Sequence, residues 1–135
     1  FIGCNTFGFF SDRFGRRPVF VTYLLAMAVL VWFFGHAKSI EAVIILGPLI
    51  GFFGTGFYSG FGAIFSEIFP TRARGTAQGF CYNVGRGVSA IAPPLIGYLV
   101  GAYGFATGLT AVSVFAVAAS LVVLTLPETK GKALE

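Results

Sequence analysis

Apolar residues run almost without interruption through positions 1–10, 17–35, 42–66, 75–101 and 105–126, with short polar connections between them and a polar tail over 127–135. About 20 residues at a 1.5 Å rise cross the roughly 30 Å hydrocarbon core of a bilayer, so each of the last four runs is long enough to span. The second reaches that length with Arg17, Pro18 and Gly35 counted. Strands are excluded, because the runs are continuous instead of alternating and an open sheet edge cannot stay unpaired in lipid. The pattern therefore predicts an all-α membrane protein whose connections alternate between the two sides. The first run is too short to cross. With Phe1 inside an apolar stretch and no initiating Met, it reads as the end of a helix that begins upstream, in a truncated sequence. A signal peptide does not fit, because this short run is followed by Asp12 and a basic cluster instead of small cleavage-site residues.

Composition supports lipid as the solvent: 56% of the 135 residues are hydrophobic and 10% are charged, against about a quarter charged in an ordinary soluble domain. The net charge of +4 is a matter of topology and does not imply a nucleic-acid partner. Arg13, Arg16, Arg17, Arg72, Arg74, Lys130 and Lys132 fall on one predicted side and Lys38 on the other. The positive-inside rule then makes the basic loops and the carboxy terminus cytoplasmic. Two cysteines, Cys4 and Cys81, and one histidine, His36, are too few for a disulfide framework or a metal site. No metal or cofactor is expected. The lack of a nucleophile with its base argues against an enzyme.

Small residues and prolines mark where these helices pack and bend. Glycines stand four apart at Gly47 and Gly51, Gly56 and Gly60, Gly75 and Gly79, and Gly97 and Gly101, a spacing that lets helices approach closely. Pro93 and Pro94 remove backbone donors from the fourth run and predict a kink or local unwinding there, as a hinge or as a bend satisfied by its neighbours.

Three polar elements carry more specific information. Gly8-Phe-Phe-Ser-Asp12-Arg13-Phe-Gly15-Arg16-Arg17 fits G-x-x-x-D-R-x-G-R-R and resembles the signature loop of the major facilitator superfamily. Gly15 permits the sharp turn, Gly8 is expected to admit a neighbouring helix, and Asp12 can latch onto arginines or a helix amino terminus. Glu67-Ile-Phe-Pro-Thr-Arg-Ala-Arg74 and Pro127-Glu128-Thr-Lys-Gly131 resemble two further signatures, those of the sugar porters and related metabolite:proton symporters. The resemblance implies a partial major facilitator fold, from the end of helix eight through helix twelve, with the amino-terminal half as its missing partner. It also implies that Asp12, Arg13, Arg16, Arg17, Glu67, Arg74 and Glu128 form a cytoplasmic gate that opens and closes during alternating access. The bland alternative is that these charges only fix topology.

Arg86 lies eleven positions after Gly75 in an apolar run, about 16 Å into the membrane. An arginine at that depth must face a partner or a wet cavity. Gln78, Tyr82 and Arg86 recur every four residues with Asn83 beside them, giving a polar stripe toward the bundle interior. A guanidinium suits a carboxylate better than a neutral sugar; an ion pair with an acid elsewhere in the carrier is the competing account. Tyr82-Asn83-Val-Gly85-Arg86-Gly87 looks like the eleventh helix of symporters for aromatic acids, sialate or other monocarboxylates. Tyr58 is a further candidate for the cavity wall, and Trp32 reads as an interfacial anchor. The expected function is secondary transport of a small organic acid, coupled to protons by resemblance alone, in a bacterial inner membrane. A sugar:proton symporter is the alternative, and a non-transporting membrane fragment is the alternative of another class.

Overall fold

A computed structural model describes residues 2–126, and the regular structure among them is helical. In chain order the helices are α1 (Ile2–Phe14), α2 (Arg16–Gly35), α3 (Ile40–Ile68), α4 (Arg74–Ser89), α5 (Ala92–Tyr103) and α6 (Phe105–Thr125). Helices α2, α3 and α6, of 20, 29 and 21 residues, are each long and apolar enough to cross a membrane.

The fourth apolar run differs from a single kinked span over 75–101: it is divided into α4 of 16 residues and α5 of 12. Pro93 and Pro94 are the cause, because neither can donate to the turn before it. Pro93 is instead accommodated in the first turn of α5, where a missing N–H costs nothing. The connection expected over residues 11–18 shrinks to one residue. Gly15 adopts φ 110°, a conformation that side chains rarely tolerate, so the chain reverses there and α2 starts at once, with Pro18 in its first turn. Ser39 caps α3, its side chain accepting from the Ala42 amide at 3.3 Å, and Glu41 in the first turn favours the same end.

Helix α2 lies between α3 and α6, α1 packs on both α2 and α3, α5 packs on α6, and α4 rests on α3. The best-buried cluster joins Phe7, Val19, Phe20, Tyr23, Leu24 and Ile64, flanked by Phe52, Phe53, Phe57 and Phe61. Its rings meet edge to face: Phe7 with Tyr23 at 5.1 Å, Phe7 with Phe20 at 5.6 Å and Phe20 with Phe61 at 5.1 Å. In lipid these rings gain little by leaving an equally apolar solvent, so interdigitation must hold the helices together. Small residues supply the room. A Cβ added at Gly60 would lie 2.5 Å from the Phe7 ring, one at Gly56 2.5 Å from Tyr23, and one at Gly3 2.2 Å from the Phe52 carbonyl oxygen.

Two expectations about glycine change accordingly. Gly8 admits no neighbour among the described residues, since a Cβ there would meet nothing within 4 Å; α1 makes its close approach to α3 one end away, at Gly3. Of the four glycine pairs, Gly56 with Gly60 lies at a helix contact, while the other three face open space. The second seam, between α2 and α6, buries Ala28, Val31, Ser113, Ala116 and Ser120. The two serines donate to carbonyls of their own helix, Leu109 at 3.2 Å and Val117 at 2.6 Å, and so pack as small apolar residues do.

Candidate functional site

Helix α4 buries none of its residues within the described chain, yet its polar stripe is not disorganised. Between α3, α4 and the start of α5 lies a cavity of about 620 Å³, lined by Tyr58, Phe61 and Phe65 of α3, Cys81, Tyr82, Gly85, Arg86 and Ser89 of α4, and Ala90 and Pro93. Arg86 donates from Nη1 to the Tyr82 hydroxyl at 3.2 Å. Its guanidinium carbon stands 5.7 Å from the Tyr82 ring centroid. The hydroxyls of Tyr82 and Tyr58 share a hydrogen bond across the α3–α4 gap, and the two rings cross at 75° with centroids 6.2 Å apart.

The spacing explains the arrangement. Tyr82 and Arg86 are one turn apart, and a long side chain on a helix leans back toward the preceding turn. The guanidinium is thereby delivered to the tyrosine pair, which occupies part of its donor fork and leaves the rest for an anion in apolar surroundings. Phe61 and Phe65 supply flat walls opposite.

The other two members of the predicted stripe sit elsewhere. Gln78 donates from Nε2 to the Gly62 carbonyl at 3.4 Å, tying α4 to α3. Asn83 donates to the Gly79 carbonyl of its own helix at 2.7 Å. Neither lines the cavity. Cys81, Ser89 and Pro93 do; from sequence Cys81 counts as one of two isolated cysteines and Pro93 as a bend, and Ser89 is passed over, although Gly85, Ser89 and Pro93 repeat every four residues beside Arg86.

A second polar cluster forms where α1 turns into α2. Arg16 is its hub: Nη1 reaches Asp12 Oδ1 at 2.7 Å and Ser11 Oγ at 2.6 Å, while Nη2 and Nε reach Glu67 Oε1 at 3.0 and 3.1 Å. The side chains of Arg16 and Glu67 are 19% and 13% exposed, whereas Asp12 is 69% exposed. The cross-helix bond to Glu67 is therefore the sheltered one, and the Asp12 bond is screened by solvent. Ser11 is fully buried and also donates to the Gly8 carbonyl at 3.0 Å; it was hidden among the variable positions of the loop pattern.

The remaining residues of the predicted gate are spread out. Arg13 lies over the Phe14 ring at 5.9 Å, and Arg74 donates from Nε to the Phe69 carbonyl at the end of α3 at 3.4 Å. Arg17 lies in the first turn of α2. Glu128, with Lys130 and Lys132, lies outside the described residues.

Comparison with known proteins agrees over nearly the whole chain. Residues 6–135 match the family model described as the Major Facilitator Superfamily. A Haemophilus influenzae protein named for metabolite transport is 35% identical over 98% of this chain. A Cupriavidus pinatubonensis protein named for transport of 4-methylmuconolactone is 35% identical over 93%. The cis,cis-muconate transport protein of Acinetobacter baylyi is 36% identical over 68%. This chain spans 33%, 30% and 22% of the lengths of those three relatives, so it corresponds to a third of such a protein or less.

Proposed function

The chain belongs to the major facilitator superfamily and is an integral, multi-pass, all-α membrane protein, and from that premise we propose that it forms part of a secondary transporter for a small organic acid. In this reading the described helices run from the end of the eighth to the twelfth of a twelve-helix carrier. The amino-terminal half closes the other side of the cavity. The protein works in a bacterial inner membrane with its carboxy terminus in the cytoplasm.

The observation that carries the substrate class is the Arg86–Tyr82–Tyr58 cluster in a cavity walled by Phe61 and Phe65. A cation oriented by a hydroxyl pair and set among aromatic rings favours a flat carboxylate over a sugar, whose many hydroxyls need as many neutral partners. One relative is named for muconate, a carboxylate, which points the same way. The sugar alternative draws support from the loop patterns and from a Staphylococcus epidermidis relative named as a glucose transporter, 30% identical over 94% of this chain; it leaves Arg86 only the task of pairing with an acid elsewhere in the carrier.

Alternating access supplies the cycle: the carrier exposes the cavity to one side and then the other as its halves rock. Arg16, bonded to Asp12 and Glu67, is proposed to hold the cytoplasmic ends of α1, α2 and α3 together in one state and to release them in the other. The carriage of a proton is proposed as well. Asp12, Glu41 and Glu67 stand at or near helix ends, so the titrating carboxylate is assigned to the rest of the carrier.

The test is uptake by the full-length carrier. Arg86→Ala should abolish transport of carboxylates while the protein reaches the membrane at normal levels. Carboxylate uptake that survives the substitution removes Arg86 from the site, and saturable uptake of a sugar with no effect of carboxylates establishes the alternative.

A further inference from the structure

The cavity reaches the break between α4 and α5, where the helix backbone loses two of its donors. Ser89 and Ala90 line the cavity with Pro93, and in a continuous helix their carbonyls would accept from the amides of residues 93 and 94. Both of those residues are proline, with no N–H to give. The neighbouring carbonyls recover partners at the break: Arg86 and Gly87 accept from the Ala90 amide, Val88 from that of Ile91 and Ile91 from that of Leu95. Among the described residues nothing donates to the carbonyls of Ser89 or Ala90. Ser89 Oγ donates to the Arg86 carbonyl at 2.9 Å, which leaves its own lone pairs available as a third acceptor.

Unpaired carbonyls at membrane depth are costly, and a broken helix is tolerated where it lines a cavity that supplies partners. Ser89 and Ala90 stand three and four residues after Arg86, and Tyr82 stands four before it, so these residues share one face of α4; with Pro93 of α5 they line one cavity. The Arg86 guanidinium leans back to Tyr82, seven residues before Ser89, which sets the two polar ends about 10 Å apart along the helix. One end donates and the other accepts.

We propose that the α4–α5 break is a substrate subsite, in which the carbonyls of Ser89 and Ala90, with Ser89 Oγ, accept hydrogen bonds from an O–H or N–H carried on the substrate opposite its carboxylate. This rests on the organic-acid reading and narrows it: the preferred substrates are rigid acids bearing a distal donor, such as a hydroxy or amino acid built on a planar frame. The donor group replaces the amide protons that the two prolines withhold. An acid of the same shape without a donor leaves the acceptors unpaired and binds less well.

The test measures dissociation constants of the full-length carrier in detergent for 4-hydroxybenzoate, 4-methoxybenzoate and benzoate. These acids share a planar frame that cannot fold its donor back onto its own carboxylate. The wild type should bind 4-hydroxybenzoate about tenfold more tightly than the other two. Pro93→Ala with Pro94→Ala returns the two amides, lets the helix run on and satisfies both carbonyls internally. In that variant the ratio of the 4-hydroxybenzoate and benzoate affinities should fall to about one, whatever the substitutions do to benzoate binding itself. If the double variant does not reach the membrane, each single substitution serves one carbonyl and should remove part of the preference. A wild type that binds benzoate through Arg86 yet shows no preference overturns the subsite alone, as does a preference that survives the proline substitutions. No binding of any of the acids, or binding that Arg86→Ala leaves unchanged, overturns the organic-acid reading and this inference with it.

Discussion

Arg16 shows how one side chain converts a loop pattern into a contact between helices. From sequence, Asp12, Arg16 and Glu67 fall on one predicted side of the membrane, but charge counting could not tell which of the five arginines on that side would reach across to Glu67. Geometry decides it: Gly15 turns the chain in a single residue, so Arg16 begins α2 directly beside α3, while Arg13 stays on the far turn of α1 over Phe14. Removing the arginine takes from Glu67, 13% exposed, a charge partner that offsets part of its desolvation. Arg16→Ala and Glu67→Ala should each destabilise the carrier. The double variant should lose less than the sum, by about 1–3 kcal/mol, because the sheltered bond between the two side chains can be lost only once. A double-mutant cycle on thermal unfolding in detergent checks this. Additive losses would mean that the bond is loosely held and that the Arg16 guanidinium gains no more from Glu67 than from water. Asp12→Asn should change stability much less, since its bond is in solvent.

At the scale of helices, apolar run length made the elements legible, and local backbone chemistry set their ends. The run over 75–101 contained everything needed to see a break, since two adjacent prolines cannot sit in a helix interior. Whether the result would be a bend or two separate helices depends on residues 90 and 91 finding turn-like bonds, which hydropathy does not report. Glycine was harder to read. With 19 in the chain, spacing by four recurs without meaning, and the contacts that matter, Gly3 against the Phe52 carbonyl and Gly56 and Gly60 against aromatic rings, depend on how α1 and α2 cross α3. That difference is measurable. Gly3→Ala drives a methyl into backbone that cannot swing aside and should cost about 1–3 kcal/mol. Gly54→Ala meets no atom closer than the Met27 sulfur at 3.9 Å and should be neutral, or stabilising by up to about 1 kcal/mol through helix propensity. Thermal unfolding of both variants in the same detergent separates the two, and equal effects would contradict the α1–α3 crossing.

Across the whole molecule, the placement of charge connects the two polar clusters to opposite tasks. The Arg16 cluster and the turn over residues 69–73 stand at one end of α3 and the turn over 36–39 at the other, about 43 Å apart for a helix of 29 residues. The cavity near Arg86, eleven positions after Gly75, sits between those levels, as the proposed alternating access requires. The proposed orientation, with the basic end in the cytoplasm, rests on the bias of arginine and lysine. Lys38 and Arg72 are exposed at the two ends, so they can report orientation without disturbing the core. In a full-length carrier lacking its native cysteines, Lys38→Cys should react with a membrane-impermeant maleimide in intact cells. Arg72→Cys should react only in inverted vesicles or after permeabilisation. Removing Lys38 deletes the one basic residue on the outer side and so cannot itself reverse the bias, which makes the result a reading of the native topology. The opposite labelling pattern would put the Arg16–Glu67 bond on the outer face, where it would close the carrier to the outside instead of the cytoplasm and invert the order of the transport cycle.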